Sequence, residues 1–285
     1  METILTLDLG TTYFKTALFD RGADLVALYR EPAPIYRPQA GYWEMDPREF
    51  KLTIKKALIQ LAAARPEGLN DVVALSFATQ TNSFLILDEH GQPLTPIILW
   101  PDSRAGQEPD LLNTLMQRPC FQAITGVPRL NHEFMVAKLL YLKRHASDLW
   151  SRARRLCLIS DYLTLWVTGR HVSEGGAAGL TGLVDIHQLR WWADGCHQVG
   201  LPQIWLPAIV RMGTDLGGLV PEIADELGLP RSCRFVVGCL DQFAGAIGAG
   251  NIAAGNISET TGTVLATVRC SDRFVRDAGP EIYQG

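Results

Sequence analysis

The sequence has little of what marks a nucleic-acid-binding or membrane protein. Its 26 Lys and Arg stand against 30 Asp and Glu, for a formal net charge of −4. No basic run is long enough to follow a phosphate backbone. The longest uncharged run, residues 242–258, is rich in Gly, Ala and Asn, and it has too few large apolar side chains to favour a bilayer span. We therefore expect neither a nucleic acid nor a membrane as a partner.

Cysteine and histidine motifs are also missing. The six cysteines contain no Cys-x-x-Cys pair, and the six histidines show no H-x-x-H or H-E-x-x-H spacing. The sequence therefore predicts reduced thiols and no zinc site. Asp8, Lys15 and Asp20 interrupt the N-terminal apolar stretch before it could form the core of a signal peptide. Together these absences predict a cytoplasmic protein.

What is present is the composition of a folded globular protein. Hydrophobic residues make up 47% and charged residues 20% of 285 residues, which is enough to bury a sizeable core. At about 150 residues per domain, the length predicts two domains, or one large domain and part of another.

The hydrophobic pattern predicts a mixed α/β sheet covered by helices. Residues 4–9, 13–20 and 25–28 read as three antiparallel strands, and Asp46-Pro47 reads as the start of a helix to about Arg65. Further strands are expected at 72–77, 84–87, 97–100 and 235–238. Helices are expected at 133–144, 160–167 with Ser160-Asp161 as the cap, 190–200 and 221–228. An opening hairpin disfavours a dinucleotide-binding fold, which begins with a strand, a Gly-rich loop and a helix.

The first polar motif is Asp8 at a predicted strand end, followed by the turn Gly10-Thr11-Thr12 and by Lys15. Such a turn can cradle a phosphate while the carboxylate holds a metal ion through water. The alternative is an ordinary hairpin turn whose Asp and Thr side chains satisfy the turn's own backbone.

Two further motifs lie near the C-terminus. Asp241 stands at a predicted strand-to-helix junction, where backbone N–H groups and the helix dipole favour negative charge, or where it is a plain N-cap. Gly262-Thr263 lies in a polar turn among β-branched residues, either a second phosphate cradle or a hairpin turn. Between them, three glycines that do not form G-x-G-x-x-G are expected to allow close helix packing: Gly245, Gly248 and Gly250.

Two polar clusters follow apolar strands. Gln80-Thr81-Asn82 comes after the strand at 72–77, and Asp102 and Arg104 come after the strand at 97–100. Strand ends that converge on one edge of a sheet are where α/β proteins bind small ligands. The alternative for either cluster is a solvated loop.

In order along the chain, residues 8–15, 100–104, 241–248 and 262–263 resemble the motifs of the FGGY carbohydrate kinases, in the actin–hexokinase superfamily. The resemblance implies a ribonuclease-H-like (actin-like ATPase) fold, a mixed sheet flanked by helices. It implies an N-terminal sugar-binding and catalytic domain at 1–250, and at 251–285 the beginning of a C-terminal ATP-binding domain that resembles the first.

The resemblance also implies an activity: magnesium-dependent transfer of the ATP γ-phosphoryl group to a hydroxyl of a small sugar or polyol. Asp241 matches the catalytic base, and Asp8 matches the acid that positions magnesium through water. The positions that match phosphate contacts are Gly10, Thr11, Thr12, Lys15, Gly262 and Thr263. The positions that match or adjoin sugar contacts are Gln80, Thr81, Asn82, Asp102, Arg104 and Gln242.

Three departures leave alternatives open. Gln80-Thr81-Asn82 differs from the corresponding triplets of xylulokinases and glycerol kinases, so a ketopentose, a tetritol or a similar molecule remains open as the substrate. Ala137 precedes Lys138 where the family prefers Pro, Ser or Thr. Family members are also much longer, so sugar binding should survive better than turnover, and a non-catalytic sugar-binding or regulatory fragment is the alternative. A homodimer is compatible with the resemblance.

Overall fold

The computed structural model describes residues 2–285 except 66, 109, 262–264, 276–278 and 280. Its strands, in chain order, are β1 (Thr3–Leu9), β2 (Tyr13–Phe19), β3 (Leu25–Pro32), β4 (Ile35–Tyr36), β5 (Glu44–Met45), β6 (Val72–Thr79), β7 (Phe84–Leu87), β8 (Ile97–Ile98), β9 (Arg155–Leu158), β10 (Val172–Glu174), β11 (Val184–Asp185), β12 (Arg190–Trp191), β13 (Ala208–Val210), β14 (Asp215–Gly218), β15 (Arg234–Val236), β16 (Cys239–Leu240), β17 (Ile257–Thr260) and β18 (Ala266–Arg269).

The helices lie between groups of these strands along the chain. They are α1 (Pro47–Ala63), α2 (Asp110–Met116), α3 (Phe121–Thr125), α4 (Met135–His145), α5 (Ser147–Arg152), α6 (Ile159–Thr168), α7 (Gly175–Gly179), α8 (Ala193–Val199), α9 (Pro221–Leu227) and α10 (Asp241–Gly248), with a 3₁₀ turn at Gln203–Trp205. Every helix in the described part of the chain is too short or too polar to cross a bilayer. All six cysteines are described, and all are free thiols.

A seven-stranded mixed sheet organises the first core. Its order is β14-β15-β6-β1-β2-β3, with β16 also paired to β6. The first three strands are antiparallel, as the sequence predicts, whereas β6 runs parallel to β1. Alternate residues of β1, namely Leu5, Leu7 and Leu9, are buried on the core face. The predicted mixed α/β sheet is confirmed.

Helix α1 covers that face and begins where its sequence predicts. The Asp46 carboxylate accepts a hydrogen bond from the backbone N–H of Arg48 at 2.7 Å, and a proline fills the first helical position. Phe50, Ile54 and Leu58 recur at helical spacing and are buried in the core.

A second core lies between a five-stranded sheet, ordered β4-β5-β8-β7-β9, and the helices that follow it. Strand β7 serves both cores. Phe84 and Ile86 belong to the second cluster, while Leu85 and Leu87 belong to the first. Burial on both faces explains why this strand is an unbroken apolar run, since neither face meets water.

Three local predictions are wrong. Helix α6 begins at Ile159 with Leu158 as its N-cap, so Ser160 and Asp161 lie inside the first turn, where Asp161 accepts the N–H of Leu158 at 2.8 Å as the third residue of the helix. Residues 190–200 are not one helix, because β12 pairs with β11 before α8 starts at Ala193. The third wrong prediction is close helix packing at Gly245, Gly248 and Gly250. A Cβ added at any of these glycines would meet no described heavy atom within 4 Å. In α10, only Ala246 is buried.

Candidate active site

Three parallel strands, β1, β6 and β16, end side by side. Asp8 on β1 and Cys239 on β16 both lie opposite Ala78 on the central strand β6. Since neighbouring strands are about 4.8 Å apart, the Cα atoms of residues 8 and 239 lie ~10 Å apart. Asp241 follows β16 directly, and Gln80 follows β6. The structure therefore brings the two predicted acids to one edge of the sheet.

Asp8 forms an ion pair across the hairpin. It lies directly opposite Lys15, whose Nζ donates to its carboxylate at 2.7 Å. The two side chains keep 36% and 47% of their surface exposed. An ion pair this exposed contributes only about 0–1 kcal/mol to stability, so Lys15 can exchange the carboxylate for a phosphate at little cost. Thr11 and Thr12 lie in the turn between the paired strands and are partly or fully exposed.

Asp241 is the first residue of α10 and is partly buried. Burial raises the pKa of its carboxyl from 3.8 to about 6. The backbone N–H of Gln242, which donates at 2.7 Å, lowers this pKa, the negative charge of Asp8 raises it, and Lys15 lowers it. The charges of β1 and β2 therefore act on this carboxylate across the edge. A carboxylate with a pKa of about 6 is a stronger base than an ordinary Asp.

Gln80 is buried and joins two parts of the edge. Its amide nitrogen donates to the carbonyl of Leu9 at 3.4 Å, and its amide oxygen accepts from Ser83 Oγ at 2.9 Å. Ser83 Oγ in turn accepts the backbone N–H of Trp100 at 2.9 Å. This chain of hydrogen bonds fixes the predicted segment at 100–104 beside the end of β6.

The side chains of Thr81 and Asn82 already bind backbone groups. Thr81 Oγ1 donates to the carbonyl of Ala177 at 2.7 Å, and Asn82 Nδ2 donates to that of Leu180 at 3.1 Å. Asn82 Oδ1 also accepts the N–H of Met135 at 2.9 Å. Both residues therefore hold neighbouring helices against the end of β6, and their contact with a sugar stays a prediction.

Asp102 and Arg104 form a buried ionic network. Arg104 binds both carboxylate oxygens of Asp102 at 2.8 Å and donates to Glu44 at 2.6 Å, with its guanidinium 4.1 Å from the centre of the Tyr42 ring. Asp102 also accepts the backbone N–H of Trp43 at 2.8 Å. Glu44 and Tyr42 were not predicted as part of this group, because they are distant in sequence.

Lys138 is a second buried cation that the sequence reasoning did not assign to the site. It is fully buried on α4, and its Nζ donates to the carbonyls of Trp100 at 3.0 Å and Glu133 at 2.7 Å. Burial lowers its pKa to about 7, although the charge of Asp102 opposes this shift. The signal that could have found it is a lysine at an apolar position of an amphipathic helix. It ties the segment at residue 100 to the start of α4.

One remaining predicted residue lies on α10, and two lie outside the described part of the chain. Gln242 is exposed in its first turn. Gly262 and Thr263 lie outside the described residues. The strands on either side of them, β17 and β18, are tied to the end of α10 by Asn251, whose Nδ2 donates to Ser258 Oγ and to the carbonyl of Val268, both at 2.9 Å.

The edge also suits one kind of metal ion better than others. Among the described residues, no three His, Cys, Asp or Glu side chains cluster as a preformed metal site. Asp8 and Asp241 are nonetheless two oxygen donors on one edge, and their charges interact. Magnesium is commonly held by one or two carboxylates together with water and substrate phosphates. The donor set fits that ion.

Comparison with known proteins agrees with this architecture. Residues 3–248 match the sequence profile of the FGGY family of carbohydrate kinases, N-terminal domain. The xylulose kinase of Escherichia coli strain K12 is 31% identical over 270 residues, which cover 94% of this chain and 54% of that protein. The xylulose kinase of Lactococcus lactis strain IL1403 is 29% identical over 269 residues, which cover 93% and 53%.

A crystal structure of a xyloylose kinase from Brucella ovis superposes with a TM-score of 0.85 at 30% identity, covering 93% of this chain and 54% of that one. The predicted fold and the predicted resemblance are therefore confirmed. The chain spans about half the length of the curated relatives it matches.

Proposed function

Because this chain belongs to the FGGY family of carbohydrate kinases, we propose that it carries the sugar-binding and catalytic part of a kinase. The reaction is transfer of the γ-phosphoryl group of ATP to a hydroxyl of a small sugar or polyol. The observation that carries the proposal is that Asp8 and the partly buried Asp241 lie at the same sheet edge, where the pKa of Asp241 is raised to about 6. Residues 1–250 form the first domain in this proposal, and 251–285 begin the second.

Asp241 accepts the proton of the attacking hydroxyl in this proposal. Phosphoryl transfer passes through a loose transition state, so positioning and charge neutralisation supply most of the catalysis. A carboxylate with a pKa of about 6 is ionised at pH 7 and still basic enough to take the proton late in the transfer. When bound, magnesium neutralises phosphate charge, and Asp8 would hold it through water.

The phosphates of ATP are assigned to two turns. Gly10, Thr11 and Thr12 offer backbone N–H groups and hydroxyls at the edge, and Lys15 offers a cation that an exposed ion pair leaves free to move. Gly262 and Thr263 are assigned to the second turn on the family resemblance.

The sugar contacts are assigned to Gln80, Thr81 and Asn82 and to Gln242 in the first turn of α10. Asp102 and Arg104, held by their buried network, are assigned to the same sugar site. We propose a ketopentose as substrate, since the curated relatives described above are xylulose kinases. The reaction belongs to the cytoplasm, where ATP is available, and a homodimer remains a prediction for light scattering to check.

The test combines sugar binding with ADP release. Pentuloses, tetritols, glycerol and hexuloses would be screened by calorimetry, with and without magnesium and ATP, and by a coupled ADP-release assay. We expect a pentulose to bind and to stimulate ADP release. Asp241→Asn should keep sugar binding and lower turnover by several orders of magnitude, whereas the exposed control Asp272→Asn should change neither.

Two results would contradict the proposal. Near-normal turnover in Asp241→Asn would exclude Asp241 as the base. Sugar binding without any ADP release, in this chain and in a longer chain that contains it, would favour a non-catalytic sugar-binding protein. The presence of both Asp8 and Asp241 argues against that alternative, because a protein that only binds sugar needs no carboxylate for magnesium.

A further inference from the structure

Glu174 is a buried carboxylate to which the proposed reaction gives no role. It is the last residue of β10, and only 3% of its surface is exposed. One oxygen accepts the backbone N–H of Gly176 at 2.7 Å, and the other accepts that of Ala177 at 2.9 Å, so it caps the short helix α7. The strand that ends at Leu240, β16, packs against α7, and the backbone N–H of Leu240 lowers the pKa of this carboxylate. Glu174 therefore binds α7 and lies close to the residue that precedes Asp241.

Helix α7 touches the same junction a second time. A Cβ added to Gly176 would lie 2.8 Å from Cε2 of Phe243, so the Phe243 ring packs directly on the backbone of α7. Leu240 and Phe243 lie on either side of Asp241 in the sequence. The start of α7 thus holds the strand-to-helix junction both before and after the proposed base.

The later part of α7 is fixed to the end of β6. Thr81 Oγ1 donates to the carbonyl of Ala177, and Asn82 Nδ2 donates to that of Leu180, the residue that caps the helix. One five-residue helix therefore links the turn assigned to the sugar with the junction that carries Asp241. A displacement of α7 would change the distance between the two.

We propose that Glu174 is a positioning residue: by capping α7, which packs against β16 and Phe243, it fixes the Asp241 carboxylate relative to the turn at residues 80–82. This inference rests on the proposed role of Asp241 as the base. Such placement matters because misplacing a reacting group by about 1 Å can cost ~100-fold in rate.

The chemistry of the site explains why this position needs a carboxylate. Each oxygen of the side chain accepts from one N–H group of α7. An ionised carboxylate is purely an acceptor, whereas an amide would turn one oxygen into a donor. Burial raises the pKa of Glu174, and the N–H groups of Gly176, Ala177 and Leu240 lower it. At the junction, burial raises the pKa of the Cys239 thiol to about 11, so this group stays neutral. The charge of Asp8 raises the pKa of Asp241, and the charge of Lys15 lowers it.

Two substitutions separate the helix cap from the link to Leu240. Glu174→Asp retains a good N-cap for α7, but the side chain is one methylene shorter and cannot reach both partners. Glu174→Gln retains the length and places an amide donor against an N–H. The matched control is Glu31→Gln. Glu31 lies on β3, at the far edge of the same sheet, and its buried carboxylate pairs with Lys56 of α1.

The primary measurements need no turnover. Hydrogen exchange at the Leu240 amide should accelerate at least tenfold in both Glu174 variants, and the Asp241 carboxyl, followed by ¹³C NMR, should titrate about one pH unit lower as the junction opens to water. Glu31→Gln should change neither, even at an equal loss of thermal stability. Where the wild type phosphorylates a sugar, kcat should fall at least tenfold in Glu174→Asp, with a smaller change in KM.

The outcomes for the two proposals are distinguishable. If Leu240 exchange and the Asp241 titration are unchanged in both Glu174 variants, or change equally in Glu31→Gln, then Glu174 is not a positioning residue. If instead the wild type binds and phosphorylates no sugar, the proposed function fails, while exchange and titration still decide whether Glu174 positions Asp241.

Discussion

Replacing Asp241 by Asn should make the protein more stable at neutral pH, while it removes the proposed base. The reason is that ionising this partly buried carboxylate costs free energy. Its pKa is raised from 3.8 to about 6, chiefly by burial and further by the charge of Asp8. Asn keeps the oxygen that accepts the N–H of Gln242 at 2.7 Å and carries no charge.

The size and the pH dependence of the effect follow from linkage. Each pH unit between folded and unfolded pKa values corresponds to 1.36 kcal/mol, so a rise from 3.8 to about 6 sets an upper limit of ~3 kcal/mol. Solvent at the partly open edge should reduce this to ~1–2 kcal/mol. Because the folded pKa is the higher one, the penalty is complete above pH ~6 and disappears below pH ~4. For a chain of this size, 1 kcal/mol shifts Tm by ~2–4 °C.

Urea unfolding at pH 7.5 and at pH 4 would measure the effect in the wild type, in Asp241→Asn and in the exposed control Asp272→Asn. The gain should appear at pH 7.5, be largely absent at pH 4, and be absent from the control at both. A stability for Asp241→Asn that is equal to or below that of the wild type at pH 7.5, or a gain that persists at pH 4, would refute the reasoning.

Three further predictions concern the same region. Gly238→Ala should lower stability by ~3 kcal/mol or more in urea unfolding, since a Cβ there would overlap the carbonyl oxygen of Phe77, whereas Gly245→Ala should be neutral or stabilising by up to ~1 kcal/mol. Equal changes in stability for the two glycine variants would contradict this prediction. Arg104→Met should cost ~3–5 kcal/mol, because two buried carboxylates lose their cation; a loss below ~1 kcal/mol would contradict the network. Finally, kcat/KM should fall below pH ~6 as Asp241 is protonated; a pH-independent rate down to pH 5 would exclude it as the base.

Much of the fold is predictable because its signals are local. The Asp46-Pro47 start of α1 and the glycine after α6, Gly169 at φ 70°, depend on nearest neighbours in sequence. Strand β1 alternates buried with more exposed residues at period two. The edge that gathers Asp8, Gln80 and Asp241 is predictable for a related reason, since each lies at or just beyond the end of a strand.

The rest depends on contacts between distant segments. Asp161 looks like an N-cap in sequence, yet its partner is decided by where β9 ends. Nothing near Arg104 in sequence indicates that Glu44 is its second partner. Glu174 and Leu240 are separated in sequence by three helices and several strands, and only the folded chain shows that α7 packs against the strand that ends at Leu240. Buried polar groups must find partners, but the sequence does not say which ones.

The central claim is that the carboxylates of residues 8 and 241 belong to one site. Its most direct test is the ¹³C NMR titration of Asp241 in the wild type and in Asp8→Asn. We predict a pKa of about 6 in the wild type and a lower value when the charge of Asp8 is removed. A wild-type titration near the ordinary Asp value, with no response to Asp8→Asn, would contradict the claim.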